Sequence, residues 1–132
     1  MPNLKKKKPG RAKSTSSKAK VLPPRDKVKV EDCWDLGSLF KDDSQWERSF
    51  ETWEKQIDGY SKFRGRLSES AEVLAECLQF DADLDRAGER LGVYAFLKTS
   101  EDQGNSDYQR MKGRFQHVAM RAAEAGSFIR PQ

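Results

Sequence analysis

Residues 42–60 decide the fold, and they read DDSQWERSFETWEKQIDGY. The apolar side chains of this stretch recur at alternating spacings of four and three residues: Trp46, Phe50, Trp53, Ile57 and Tyr60. This spacing is typical of one face of an α-helix whose opposite face is charged. The oxygen-bearing side chains of Asp42, Asp43 and Ser44 are suited to the N-cap position. The pattern therefore predicts a helix from about Ser44 to Lys62.

A second helical period follows after Gly65, which is a plausible helix stop. Ser68 or Ser70 can cap this second helix, and we predict a break or bend at Phe80 and Asp81. The apolar positions before the break are Val73, Leu74, Cys77 and Leu78, and those after it are Leu84, Ala87, Leu91, Tyr94 and Leu97. The two halves share the helical spacing, so both are predicted to face a common core.

A last helix is predicted after the polar segment 99–105, which contains Gly104 and is typical of a turn. Asn105 or Ser106 can cap this helix, and Gly126 can end it. Its predicted inward residues are Tyr108, Met111, Phe115, Val118, Ala119 and Ala122. Gly88 and Gly92 lie beside the apolar face of the preceding helix, where small residues let a neighbouring helix approach closely.

These elements predict an all-α fold, an antiparallel bundle of three to four helices within residues 31–132. Strand patterns are almost absent, since only residues 28–30 alternate between apolar and charged side chains. Five aromatic residues are candidates either for the core or for a face that docks onto a larger body: Trp34, Trp46, Phe50, Trp53 and Tyr94. The sequence leaves both alternatives open.

Residues 1–30 differ in composition from the rest of the chain. They carry eleven basic residues and one acidic residue, a net charge of +10, whereas the remaining residues carry −6. Proline, serine and lysine dominate, so we predict a disordered basic tail. Four lysines are candidates for contacts with a polyanion such as nucleic acid: Lys5, Lys6, Lys7 and Lys8. The alternative is a solvated tail without a partner, because no aromatic residue precedes Trp34 to stack on bases.

Sequence motifs for catalysis or metal binding are missing. The chain contains one histidine, His117, and no HExxH, GxSxG, GxGxxG or GxxxxGK[ST] motif. Cys33 and Cys77 are far apart and form no CxxC pair, so a zinc ribbon is excluded. We therefore assign no catalytic, cofactor-binding or metal-ligating residue. The low cysteine content favours a cytoplasmic location, and the lack of a long apolar run predicts no membrane span.

Several short motifs, taken together and in order, resemble the opening of the oligoendopeptidase F family. The motifs are Trp34-Asp35-Leu36, Leu39-Phe40, Trp46-Glu47, Phe63-Arg64-Gly65-Arg66-Leu67, Tyr94-Ala95-Phe96-Leu97-Lys98, Glu101-Asp102 and Ser127-Phe128-Ile129. The resemblance covers about residues 28–132, and the lysine-rich tail matches nothing in the family pattern.

The resemblance implies a place in a much longer, all-helical zinc metallopeptidase that cuts short peptides in an enclosed channel. The family takes its zinc ligands and general base from an HExxH helix and a later glutamate, and none of these has a counterpart here. The chain is therefore expected to be an N-terminal piece that helps to wall the channel and is inactive alone. Its expected partner is the remainder of the peptidase, in cis or in trans, and zinc and oligopeptide substrate are expected only in the complete enzyme. A small helical adaptor that binds nucleic acid or another polyanion through its tail is the alternative.

Overall fold

Three α-helices make up most of the computed structural model, which describes residues 21–130. Helix α1 spans Asp43–Gln56, α2 spans Ala71–Glu101 and α3 spans Ser106–Ala125. No strand occurs within this described range, and no helix in it is long and apolar enough to cross a membrane. The predicted all-α class and antiparallel bundle are confirmed.

Each helix begins at an N-cap of the kind predicted. The caps are Asp42, Ser70 and Asn105, and the side-chain oxygen of each accepts a hydrogen bond from a backbone N–H in the first turn. Asn105 caps most fully, because its Oδ1 accepts from two backbone N–H groups, at 2.9 and 3.2 Å. These bonds satisfy donors that a helix start otherwise leaves unpaired.

The structure differs from the helix prediction at several points. The predicted turn 99–105 begins later, because α2 continues through Thr99 to Glu101. Leu74 and Leu78, predicted to face the core, are 39% and 46% exposed.

Helix α1 ends at Gln56, and the chain continues as a 3₁₀ helix, Ile57–Lys62, that still buries Ile57 and Tyr60. The predicted break at Phe80 and Asp81 is wrong, because α2 runs through both residues without interruption for 31 residues. The ring of Phe80 packs edge-on against Tyr60, with centroids 5.0 Å apart, and Asp81 accepts a hydrogen bond from the Tyr60 hydroxyl.

Two tryptophans set the register between α1 and α2. The Nε1–H of Trp46 donates to the carbonyl of Leu91, and that of Trp53 donates to the carbonyl of Leu84, each at 2.9 Å. Trp53 lies seven residues after Trp46 on α1, whereas Leu84 lies seven residues before Leu91 on α2, so the two helices are antiparallel. Gly88 makes this approach possible, since a Cβ there would lie 2.8 Å from the Trp53 ring.

Helix α3 packs against both other helices. Its Phe115 fills the space beside Gly92 of α2, where an added Cβ would lie 2.6 Å from the ring. Two ion pairs join it to α1: Arg114 to Glu47 at 2.6 Å, and Arg121 to Glu54 at 2.8 Å. Because both partners advance by seven residues, α1 and α3 run parallel. The prediction that glycines on α2 admit close neighbours agrees with these contacts.

The N-terminal segment contacts the bundle earlier than the predicted boundary at residue 30. Residues Arg25–Lys27 form a 3₁₀ turn, and the Arg25 guanidinium donates to the Glu101 carboxylate at 2.8 Å. The four candidate lysines, Lys5, Lys6, Lys7 and Lys8, lie outside the described residues.

A candidate binding groove between two helices

The aromatic residues singled out in the sequence separate into two groups. Trp46, Phe50, Trp53 and Tyr94 are all buried in the core, with at most 4% of each exposed. Trp34 is 56% exposed and lies outside this core, beside Ser100 and Glu101 at the end of α2. The buried four therefore serve mainly the internal packing of this chain.

Stacked rings line α1 and link it to α3 within that core. Trp46 stacks on Phe50 with centroids 5.0 Å apart, and Trp53 stacks on Phe115 of α3 with centroids 5.6 Å apart. The Arg114 guanidinium lies 4.7 Å above the Phe50 ring while it pairs with Glu47. Such contacts add to the burial of large rings.

The histidine and the two cysteines lie in different surroundings. His117 is exposed on α3, and Cys77 is fully buried, where burial and then the Asp81 carboxylate raise the pKa of its thiol. Cys33 is half-buried and accepts a hydrogen bond from the Arg25 guanidinium at 2.8 Å. The described part of the chain holds no group of three His, Cys, Asp or Glu side chains that could bind a metal ion.

A groove of about 610 Å³ runs between α2 and α3, and we refer to it as the α2–α3 groove. Its floor is formed by Trp53 and Phe115, by Ala119, Ala122 and Ala123 of α3, and by Gly126, which follows α3. Its α2 side carries three carboxylates at successive helical turns: Asp81, Asp85 and Glu89. Tyr60, Ser127, Ile129 and Arg130 close one end.

The groove is acidic, and its carboxylates are only partly compensated. The Tyr60 hydroxyl donates to Asp81 at 2.6 Å, and burial together with this contact raises the pKa of Tyr60 well above its usual range. Burial raises the pKa of Asp85, Asp81 and Glu89 raise it further, and only Arg130 opposes them. Neither Asp85 nor Glu89 forms an ion pair within residues 21–130.

The chemistry of this groove suits binding. An apolar floor beside anionic groups complements a ligand with apolar and cationic parts. The groove was not predicted from the sequence, although Asp81, Asp85 and Glu89 recur at every fourth residue and an alanine-rich helix follows them, which was a usable signal. The spacing predicts one face of α2, but only the packed structure places α3 beside that face.

Comparison with known proteins shows what this bundle resembles. The chain is 35% identical over 128 residues to Oligopeptidase PepF of Bacillus subtilis (strain 168). This match covers 96% of this chain and 19% of that protein. It is 30% identical over 99 residues to Group B oligopeptidase PepB of Streptococcus agalactiae serotype III (strain NEM316). This match covers 75% of this chain and 16% of that protein. It is 27% identical over 100 residues to the chromosomal Oligoendopeptidase F of Lactococcus lactis subsp. cremoris. This match covers 75% of this chain and 17% of that protein.

No family model and no solved structure matches the chain. The chain spans about a fifth of the length of the first of these relatives and somewhat less of the other two. The matches nevertheless cover three quarters or more of this chain. The match to Oligopeptidase PepF takes in 96% of the chain and so extends into residues 1–30, where no resemblance was predicted. The chain belongs to the oligoendopeptidase F family.

Proposed function

We propose that this chain is the N-terminal helical portion of an oligoendopeptidase F-like zinc metallopeptidase, that it helps to form the substrate channel, and that it is not catalytic alone. The observation that carries the proposal is the match to Oligopeptidase PepF, which takes in 96% of this chain but 19% of that protein. A segment matched over nearly its whole length is best explained as one structural unit of the longer enzyme.

Contacts between the family-like motifs support this proposal. Phe40 packs edge-on against Tyr94, with centroids 5.3 Å apart, and the Tyr94 hydroxyl donates to Asp43 at 2.7 Å. Lys98 pairs with the same carboxylate at 3.3 Å. Motifs separated by some fifty residues in sequence thus meet where α1 begins and α2 ends, which is expected if they build one helical unit.

The residues of this chain do not fit a zinc site. A catalytic zinc needs three protein ligands and an open position, and the family motif for two of them is HExxH. The sequence has one histidine and no such motif, and the described residues provide no ligand cluster. In this proposal the zinc, the catalytic groups and the oligopeptide substrate therefore belong to the complete enzyme.

The non-catalytic part of the proposal is tested with the purified 132-residue chain. We expect no hydrolysis of a quenched fluorescent oligopeptide and no stoichiometric zinc by elemental analysis, because the ligand set is missing. Oligopeptidase PepF, assayed in parallel, serves as the positive control. Chelator-sensitive hydrolysis by the pure chain would overturn this part of the proposal.

The channel part is tested with a chimera. The matched segment of Oligopeptidase PepF is replaced by residues 21–130 of this chain, and cleavage of a peptide series of increasing length is measured. We expect the chimera to cleave peptides and to keep an upper limit on their length. A folded chimera that cleaves long unfolded chains as readily as short peptides, or cleaves nothing, contradicts the channel role.

A further inference from the structure

The α2–α3 groove continues into an uncovered apolar strip on α2. Val93 is 42% exposed and Phe96 is 56% exposed. On a helical projection these two positions lie on the same side of α2 as Asp85 and Glu89, the side next to α3. The combined surface from Asp85 to Phe96 extends over about three helical turns, or roughly 16 Å.

The opposite side of the groove is built for close approach. Helix α3 contributes Ala119, Ala122 and Ala123, and Gly126 follows it; none of these residues has side-chain atoms beyond Cβ. Two antiparallel helices with such a low ridge between them leave a channel into which the side chains of another helix can fit. The groove offers no strand edge, so an extended peptide would find no backbone ladder to join.

The charges that face the groove are mostly negative. Asp81, Asp85 and Glu89 line α2, and Arg130 is the basic residue at the closed end. On the α3 side, the ammonium group of Lys112 lies 5.1 Å over the Phe96 ring. An occupant that satisfies Asp85 and Glu89 must therefore bring positive charge.

We propose that the α2–α3 groove binds a basic amphipathic α-helix. Apolar side chains of this helix cover the alanine floor and Phe96, and its Lys or Arg side chains pair with Asp85 and Glu89. The partner helix packs as a fourth helix beside the bundle, and about twelve of its residues suffice to span the surface. This inference rests on the groove alone and holds whether or not the bundle lines a peptidase channel.

The test uses the full chain and two labelled 18-residue peptides of alanine, leucine and arginine. One peptide places arginine at every fourth residue along one edge of a helix, beside a leucine face. The second has the same composition except for two central prolines, which prevent helix formation. Fluorescence anisotropy measures binding at low and high salt. We expect the helical peptide to bind at least about tenfold tighter and to weaken as salt rises.

Variants assign the binding to the groove. Asp85→Lys with Glu89→Lys should weaken binding about tenfold or more, because attraction becomes repulsion. Ala123→Trp should weaken binding without changing the charge, since the indole occupies the floor. Glu51→Lys with Glu72→Lys makes the same charge change at exposed positions outside the groove, and should leave the affinity within about twofold. Circular dichroism verifies that each variant folds.

Four results would overturn the proposal. One is the absence of binding to the helical peptide, and another is unchanged affinity in the groove variants. Equal affinity for the proline peptide would assign the groove to an extended basic peptide instead. A concentration-dependent dimer that Ala123→Trp abolishes, seen by light scattering, would show that a second copy of the chain covers the groove.

Discussion

Gly88 lets α1 approach α2 closely. The Trp53 ring lies where a side chain at position 88 would project, and its Nε1–H reaches the Leu84 carbonyl one turn earlier on the same helix. Gly113 is also helical, but a Cβ there would meet nothing within 4 Å. The two glycines differ only in their surroundings, so they form a matched pair.

Alanine at these two glycines should have opposite effects on stability. Gly113→Ala should raise the free energy of unfolding by about 1 kcal/mol, which is the helix-propensity gain. Gly88→Ala gains the same propensity but forces the Trp53 ring to move, so we expect a net loss of about 1–3 kcal/mol. Urea denaturation followed by circular dichroism measures both. A stabilised Gly88→Ala variant would contradict the close contact.

The folded structure disfavours the ionised form of the Asp85 side chain. Its pKa is raised in the folded chain by burial and by Asp81, so the unfolded chain holds the ionised form more readily. Ionisation of Asp85 therefore opposes folding above the ordinary aspartate pKa, and the penalty disappears as the pH falls below that value. Asp83, which pairs with Arg86 at 3.2 Å on another face of α2, provides a contrast.

Asp85→Asn should stabilise the chain at neutral pH and not at pH 3. We expect a gain of less than about 1 kcal/mol, because solvent screens a carboxylate at the surface. Asp83→Asn should give no gain at either pH, since it removes a favourable partner of Arg86. Thermal unfolding at both pH values compares the variants. A loss of stability for Asp85→Asn at neutral pH would mean that the carboxylate is paired.

At the scale of elements, α1 is the part that fixes the arrangement. Its contacts repeat after seven residues: two indole N–H groups to carbonyls of α2, and two glutamates to arginines of α3. One helix thus sets an antiparallel register on one side and a parallel register on the other. Helix α3 has fewer buried residues, with only Val118 fully buried, so its start depends more on its cap.

Loss of the α3 cap should therefore be measurable. Asn105→Ala removes both side-chain hydrogen bonds to the first turn and should cost about 1 kcal/mol of unfolding free energy. Asn105→Asp keeps the acceptor and adds a charge favourable to a helix start, so it should retain the wild-type value or exceed it. Denaturant titration compares the three chains. Equal losses for alanine and aspartate would exclude the capping explanation.

At the scale of the whole molecule, the N-terminal segment and the rest of the chain carry net charges of opposite sign. Residues 1–30 carry +10 and the remainder carries −6. A lysine-rich segment binds phosphate groups by releasing counterions, without any need for a fold, whereas an acidic bundle repels them. The two regions therefore have opposite preferences for a polyanion.

Any binding of duplex DNA should come from the basic segment alone. We expect weak binding by the full chain that falls steeply with salt, and none by a chain that begins at residue 21. That truncation retains Arg25 and its ion pair with Glu101, and circular dichroism verifies that the truncated chain folds. Anisotropy with a labelled duplex at several salt concentrations is the measurement. Equal binding by the truncated chain would locate the contact in the bundle and contradict this assignment.

The helices themselves were predictable because their determinants are local. The stripe from Trp46 to Tyr60 and the N-cap residue types act within a few residues of the backbone that they organise. The uninterrupted α2 was not predictable in this way. Phe80 and Asp81 find their partner in Tyr60, about twenty residues earlier, and that contact favours continuing the helix.

The sequence by itself determined the all-helical class, the three helix starts, the aromatic face of α1 and the family resemblance. Only the tertiary structure decided that Trp34 lies outside the core, that Arg25 joins the bundle, and that Asp85 and Glu89 line a groove with the alanines of α3. The physical reason is distance along the chain. Helical periodicity reports which residues share a face, whereas the environment of that face depends on residues 31 to 76 positions away.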